Sequence, residues 1–220
     1  MKIIYCLFVF LIAFSQTVLA CYKEDKTAQE NFDTCTQLAQ EQDSKAQYNL
    51  ALMYRTGNGT EVDYQQAFYW YQQAANAGTV KAQYNVALMY QLGAGTERNP
   101  AKAIEGYLVA AEQDHVKSQF NLALLYHKGD GIPRDYEQAI NWYSKAAKAG
   151  HGNALYNLAT MYDQGQGVEQ NYALAYTLWK LAADQGNELA QLNINTLNEI
   201  ITAEQLQLVD ALTLQWAAEQ

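Results

Sequence analysis

Ala46-Gln-Tyr-Asn-Leu-Ala-Leu-Met-Tyr54 returns as Ala82-Gln-Tyr-Asn-Val-Ala-Leu-Met-Tyr90, as Ser118-Gln-Phe-Asn-Leu-Ala-Leu-Leu-Tyr126 and as Ala154-Leu-Tyr-Asn-Leu-Ala-Thr-Met-Tyr162, each copy 36 residues after the last. A fifth, weaker copy starts at Ala190, and no insertion breaks the register. Self-similarity at a fixed period of this length is the mark of a stacked repeat architecture.

Reading outward from each block, the chain gives Gly-x-Gly: Gly57/Gly59, Gly93/Gly95, Gly129/Gly131 and Gly165/Gly167. A first glycine just past a helix takes the left-handed cap conformation, and the second allows a sharp reversal. Four residues after the second glycine stands Asp63, Asn99, Asp135 or Asn171. These side chains accept bonds from the unpaired amides at a helix start, so a second helix is expected to begin there. It too repeats, with Ala67, Ala103, Ala139 and Ala175 each seven residues before Ala74, Ala110, Ala146 and Ala182. Small residues at that spacing let neighbouring helices approach closely. Strict alternation of apolar and polar residues is absent, so no sheet is expected. Each unit is a helix pair that cannot bury its apolar face alone, and stacked neighbours must share one core.

Both ends read as caps. Shifting the second-helix pattern back by 36 residues places Phe32 under Phe68, Cys35 under Tyr71 and Leu38-Ala39 under Ala74-Ala75, which predicts an isolated helix over 27–42. At the back, Thr202-Ala-Glu-Gln205 matches a capping box, and Leu206, Val209, Leu212 and Trp216 fall on one helical stripe. A terminal helix over 203–219 is expected to cover the last repeat.

The pattern Ala-x-Tyr-x-Leu-Ala-x-Met-Tyr, then Gly-x-Gly, then Asx-Tyr-x-x-Ala-x-x-Trp-Tyr-x-x-Ala-Ala-x-x-Gly resembles the Sel1-like repeat, a relative of the tetratricopeptide repeat. The resemblance covers residues 44 to 200: units at about 44–78, 80–114, 116–150 and 152–186, and a half unit at 188–200. It implies an all-α fold, a right-handed α-solenoid of stacked antiparallel helix pairs within a single domain over 21–220. It also implies an interaction scaffold or adaptor rather than an enzyme. In such solenoids the first helices line a concave groove. There Asn49, Asn85, Asn121, Asn157 and Asn193, one per first helix, are the candidate partner-binding residues, since an amide offers a peptide backbone a paired donor and acceptor. The alternative is that each Asn bonds a neighbouring helix and fixes stacking.

The first twenty residues read as an export signal: Lys2, an apolar run from Ile3 to Phe14, and the small-residue ending Val18-Leu19-Ala20. That run is too short for an ordinary transmembrane helix, and no later stretch is long enough. A periplasmic, or otherwise exported, location follows. Cys6 leaves with the signal, so Cys21 and Cys35 remain. Either Cys21 carries a lipid anchor, as in a bacterial lipoprotein, or the pair closes a disulfide in an oxidising compartment. Such a loop contributes about 3 kcal/mol by restricting the unfolded chain.

Net charge is −9, which repels phosphate backbones and excludes nucleic acid as a natural partner. Tyrosine dominates the aromatics, 17 against 6 Phe and 4 Trp, as suits half-buried surfaces where the ring packs and the hydroxyl reaches a partner. His115 and His151 occupy the slot that holds Asp43, Thr79 and Asn187 elsewhere, so they read as caps, and His127 stands at a loop edge. No His-Glu-x-x-His or paired-cysteine pattern suggests a metal, and no cofactor is expected. The Gly-x-Gly loops follow helices and lack the lysine of a phosphate loop.

Some cysteine-rich Sel1-like proteins are linked to β-lactam binding or hydrolysis, which makes a cell-wall-associated or β-lactam-binding protein the first alternative. The mature serines Ser44, Ser118 and Ser144 lack a lysine three residues on, so no catalytic residue is expected. A secreted host-interaction effector is the other alternative.

Overall fold

The computed structural model describes residues 21–218; the expected export signal at 1–20 lies outside them, as do the last two residues. Among the described residues all regular structure is helical. The described residues form two compact units, divided between Thr79 and Val80.

The first unit holds α1 (Ala28–Gln40), α2 (Ser44–Thr56) and α3 (Tyr64–Asn76). Helix α1 starts in a capping box, the Thr27 hydroxyl accepting from the Glu30 amide while the Glu30 carboxylate accepts from the Thr27 amide. Two clasps hold the segment before it. Cys21 and Cys35, both buried, form a disulfide, and the buried Asn31 side chain accepts from the Lys23 amide at 2.9 Å and donates to the Lys23 carbonyl at 2.8 Å. Leu50, Met53, Ala39 and Ala46 complete this core, with Phe32 set edge-on to Tyr54.

The second unit runs α4 (Val80–Leu92), α5 (Pro100–Ala111), α6 (Val116–Lys128), α7 (Tyr136–Lys148), α8 (Gly152–Gln164), α9 (Tyr172–Asp184), α10 (Glu188–Leu197) and α11 (Ala203–Ala218). Helices pack in consecutive pairs, α4 with α5, α6 with α7 and α8 with α9, and each pair packs on the next through α5 with α6 and α7 with α8. Helix α9 is covered by both α10 and α11. Within this unit the small residues Ala103, Ala110, Ala139, Ala146, Ala175 and Ala182 are all buried completely, which is the close approach their spacing predicts. This is the architecture of an α-solenoid, in which each repeat buries its apolar face on its neighbour.

Asp63, Asn99, Asp135 and Asn171 each accept a first-turn amide with the side chain, and Pro100 fills the first helical position of α5. Two details differ from the expectation. His115 sits at the start of α6 but makes no capping bond; its ring pairs with the Ser118 hydroxyl at 2.9 Å, whereas His151 does accept from the Ala154 amide. In α11 the predicted stripe is partial, because Val209 is buried against α9 while Leu206 is 45% exposed.

The second glycine of two loops in this unit proves to be more than a reversal. At Gly131 (φ +78°) an added Cβ would lie 2.4 Å from Pro100 Cγ, and at Gly167 (φ +73°) 2.5 Å from Tyr136 Cβ. Each therefore seats the loop on the start of the preceding repeat's second helix. Gly150 has a similar φ of +79° but open space around it. Gly150→Ala should cost about 1 kcal/mol, from left-handed strain alone. Gly131→Ala should cost a further ~1–3 kcal/mol from overpacking, so chemical denaturation should rank the two variants in that order.

Candidate functional site

Three sets of side chains share the 36-residue period. The first is the asparagine ladder. The second is an aromatic of the second helix, Tyr71, Tyr107, Tyr143 and then Trp179. The third is a polar residue late in the first helix, Arg55, Gln91, His127 and Asp163. In the second unit the three sets meet in rungs. Asn121 Nδ2 donates to the Tyr107 hydroxyl at 3.2 Å, and that hydroxyl donates to Gln91 Oε1 at 2.7 Å. One period on, Asn157 Nδ2 donates to the Tyr143 hydroxyl at 3.1 Å, which faces His127 Nδ1 at 3.4 Å, while His127 Nε2 pairs with Gln166 Oε1 at 2.9 Å.

These tyrosines are completely buried, and burial raises both hydroxyl pKa values despite the asparagine bonds, so they are neutral donors throughout the working pH range. A buried hydroxyl requires a partner, and the rung supplies one on each side. Because Nδ2 is spent inward, the Oδ1 atoms of Asn121 and Asn157, both partly exposed residues, are left as acceptors without a donor among the described residues.

The other asparagines differ. Asn85 is nearly buried and donates to the Lys81 carbonyl of its own helix at 2.8 Å. In the first unit, Asn49 Nδ2 approaches Cys21 Sγ at 3.5 Å, beside the disulfide. There Tyr71 is again fully buried and its pKa is pushed up to about 12 by burial, partly offset by the Arg55 guanidinium, which lies beside the hydroxyl but outside good hydrogen-bond geometry. Asn193 reaches the Tyr156 hydroxyl only at 3.5 Å.

Aromatic columns back the rungs. His115 packs on Tyr84, and Tyr84 on Tyr107; His151 stacks on Phe120 at 4.5 Å, and Phe120 packs on Tyr143. His151 is thus both a cap and a ring partner, and His115 a ring partner bonded to Ser118. Among the described residues no group of three or more His, Cys, Asp or Glu side chains could hold a metal ion. Sequence reading passed over the Arg55, Gln91, His127, Asp163 set because its members differ in chemistry. The signal was present in the period itself, a polar side chain one residue after each block's closing Tyr.

The family model described as Sel1 repeat matches residues 44–79, 80–115, 116–151 and 152–187. The chain belongs to the Sel1 repeat family. A Sel1 repeat protein from Oxalobacter formigenes is similar at 31% identity and a TM-score of 0.70, over 76% of this chain and 66% of that one. A second similar structure is c5321, a protective antigen of uropathogenic Escherichia coli with the same repeat fold. It shows 25% identity and a TM-score of 0.76, over 88% of this chain and 42% of that one. This Sel1 repeat chain therefore spans just under two thirds of the first protein and less than half of the second. Immunity protein PA5088 of Pseudomonas aeruginosa is similar at 26% identity and a TM-score of 0.50, over 90% and 78% of the two chains. No curated protein sequence matches. Sel1 repeats typically mediate protein interactions.

Two outcomes follow from the rungs. Tyr143→Phe removes a buried hydroxyl that Asn157 bonds and should cost about 1–2 kcal/mol. Tyr71→Phe, whose hydroxyl has only the poorly aligned Arg55 beside it, should cost less than Tyr143→Phe, and thermal melts of the two variants side by side check this. Burial also lowers the pKa values of His115 and His151 below 6.5. The unfolded chain then takes up protons first, so the melting temperature should be flat above about pH 6.5 and fall as pH drops through the folded-state values. Replacing both with Asn, the cap used at Asn187, should flatten that slope.

Proposed function

We propose that this chain is an exported Sel1 repeat adaptor that holds a protein or peptide partner along its first helices, in the concave groove such solenoids form. Asn49, Asn85, Asn121, Asn157 and Asn193 mark that face. The observation that carries the reading is the orientation of the amides of Asn121 and Asn157: with Nδ2 tied to a buried tyrosine, each holds an Oδ1 outward in a fixed place. A row of fixed acceptors suits the N–H groups of an extended peptide, at low entropic cost to the scaffold.

Export is supported by the 1–20 pattern and by the Cys21–Cys35 disulfide, a bond that persists in oxidising compartments. A sulfur engaged in that bond has no valence left for a lipid thioether, so the reading is a periplasmic protein without a lipid at Cys21. No described helix is long and apolar enough to cross a membrane.

Crosslinking in the native envelope followed by mass spectrometry identifies the partner. Asn121→Ala combined with Asn157→Ala should then lose most of the capture while circular dichroism and melting show a folded chain. Undiminished capture by the folded double variant removes these residues from the binding face.

A further inference from the structure

Charge is sorted among the helices of the second unit. The chain is acidic overall, yet α4 and α6 carry no Asp or Glu, whereas every other helix of this unit carries at least one. Instead α4 presents Lys81 and α6 presents Lys117, one period apart and both exposed. Neither lysine has an ion-pair partner among the described residues. Tyr84 of α4 packs on His115 at the head of α6, ring centroids 5.0 Å apart, which brings the two lysine-bearing turns together. Both charges are felt there: the His115 pKa is lowered first by burial and then by Lys117 and Lys81. The result is a local positive edge on an acidic protein, and such an edge attracts carboxylates.

An apolar edge accompanies it. Leu88 and Leu124 stand seven residues after the two lysines, two turns on along the same helix face, and both are half-buried. Between the edges lie Asn85 and Asn121, each four residues after its lysine, and Asn121 Oδ1 is the fixed acceptor of that middle line. Cationic, hydrogen-bonding and apolar groups thus lie side by side on α4 and α6. The pattern stops there. In α8 the lysine and leucine slots hold Asn153 and Thr160, and in α10 Leu189 and Thr196. There Trp179 replaces the tyrosine of the rung, and a cleft of about 620 Å³ is lined by residues of α8, α9 and α10.

An extended peptide sends successive side chains to opposite sides of its backbone. Laid along the asparagine line, it turns alternate side chains to the lysine edge and the rest to the leucine edge. Side chains two residues apart are separated by about 7 Å in such a strand, and helices are about 10 Å across. The flexible four-carbon stem of lysine takes up that difference.

We propose that α4 and α6 bind an extended partner segment in which acidic and apolar residues alternate, the carboxylates on Lys81 and Lys117 and the apolar side chains on Leu88 and Leu124. The proposal rests on the peptide-scaffold reading and names the chemistry of the partner at this place.

The test titrates Ac-Glu-Leu-Glu-Leu-amide into ¹⁵N-labelled full-length protein at low salt and follows the backbone amides of α4 and α6. Ac-Gln-Leu-Gln-Leu-amide is the isosteric neutral control, and Ac-Glu-Glu-Leu-Leu-amide keeps the charge but breaks the alternation. The expected result is saturable binding of the first peptide and about five- to tenfold weaker binding of the neutral one, the scale of two solvent-exposed ion pairs. That preference should fade as salt is raised. Lys81→Gln with Lys117→Gln, two exposed positions, should leave the chain folded and abolish the preference. Lys145→Gln with Lys148→Gln, the same change of net charge on α7, should leave it intact. No saturable shift, equal affinity of the first peptide and either control, or an equal loss in the two lysine variants overturns the proposal. The asparagine groove fails separately. A preference that survives Asn121→Ala with Asn157→Ala upholds the charged edge whatever becomes of the asparagines. Capture of the native partner that needs those asparagines but ignores Lys81→Gln with Lys117→Gln refutes the charged edge alone.

Discussion

A tyrosine ring buried to the last atom still carries a hydroxyl that must be paired, and this requirement organises the second unit. Tyr107 and Tyr143 lie at zero exposure on the second helices, each reaching back to its own first helix and forward to the next. The alanines bring the helices close enough for one ring to serve both neighbours. A leucine in the same place would fill the volume but would set neither the register of the helices nor the direction of the asparagine amide. The hydrogen bond therefore does more for specificity of stacking than for net stability, to which it adds about 1 kcal/mol.

The same requirement explains why the asparagine ladder is not uniform. Where the partner is a tyrosine hydroxyl, the amide is locked with its oxygen outward. Where the second-helix residue is Trp179, the lock fails and a cleft opens. Asn85 satisfies its donor on its own helix, and Asn49 lies against the Cys21 sulfur. One residue type in one register thus has several environments, and only some of them can present an acceptor to a partner. The two readings of the asparagines, stacking device and ligand contact, are compatible, because the two ends of the amide do different jobs.

The N-terminal unit solves a different problem. A chain entering from one side must be fixed over the first helix pair without a preceding repeat to cover it. It does so twice, with the Cys21–Cys35 disulfide and with Asn31, whose side chain forms a two-bond clasp on Lys23. The cysteines were conspicuous because they fall outside the repeat pattern. Asn31 was not, since nothing local distinguishes it from any exposed helical asparagine.

By itself the sequence determined the period, the helices, their caps and the sites of the left-handed glycines, because these depend on neighbours within a few residues and recur in every unit. Residues such as Asp135 and Gly129 act on amides and backbone angles close by in the chain. Even there, packing overruled details: His115 bonds Ser118 instead of capping, and Leu206 stays exposed while Val209 on the same stripe is buried. Tertiary structure alone decided the rungs, the direction of each asparagine amide and the cleft at Trp179. The rungs join residues 14 or 16 apart on different helices, and whether a hydroxyl, an imidazole or an indole completes them turns on distances that only packing sets.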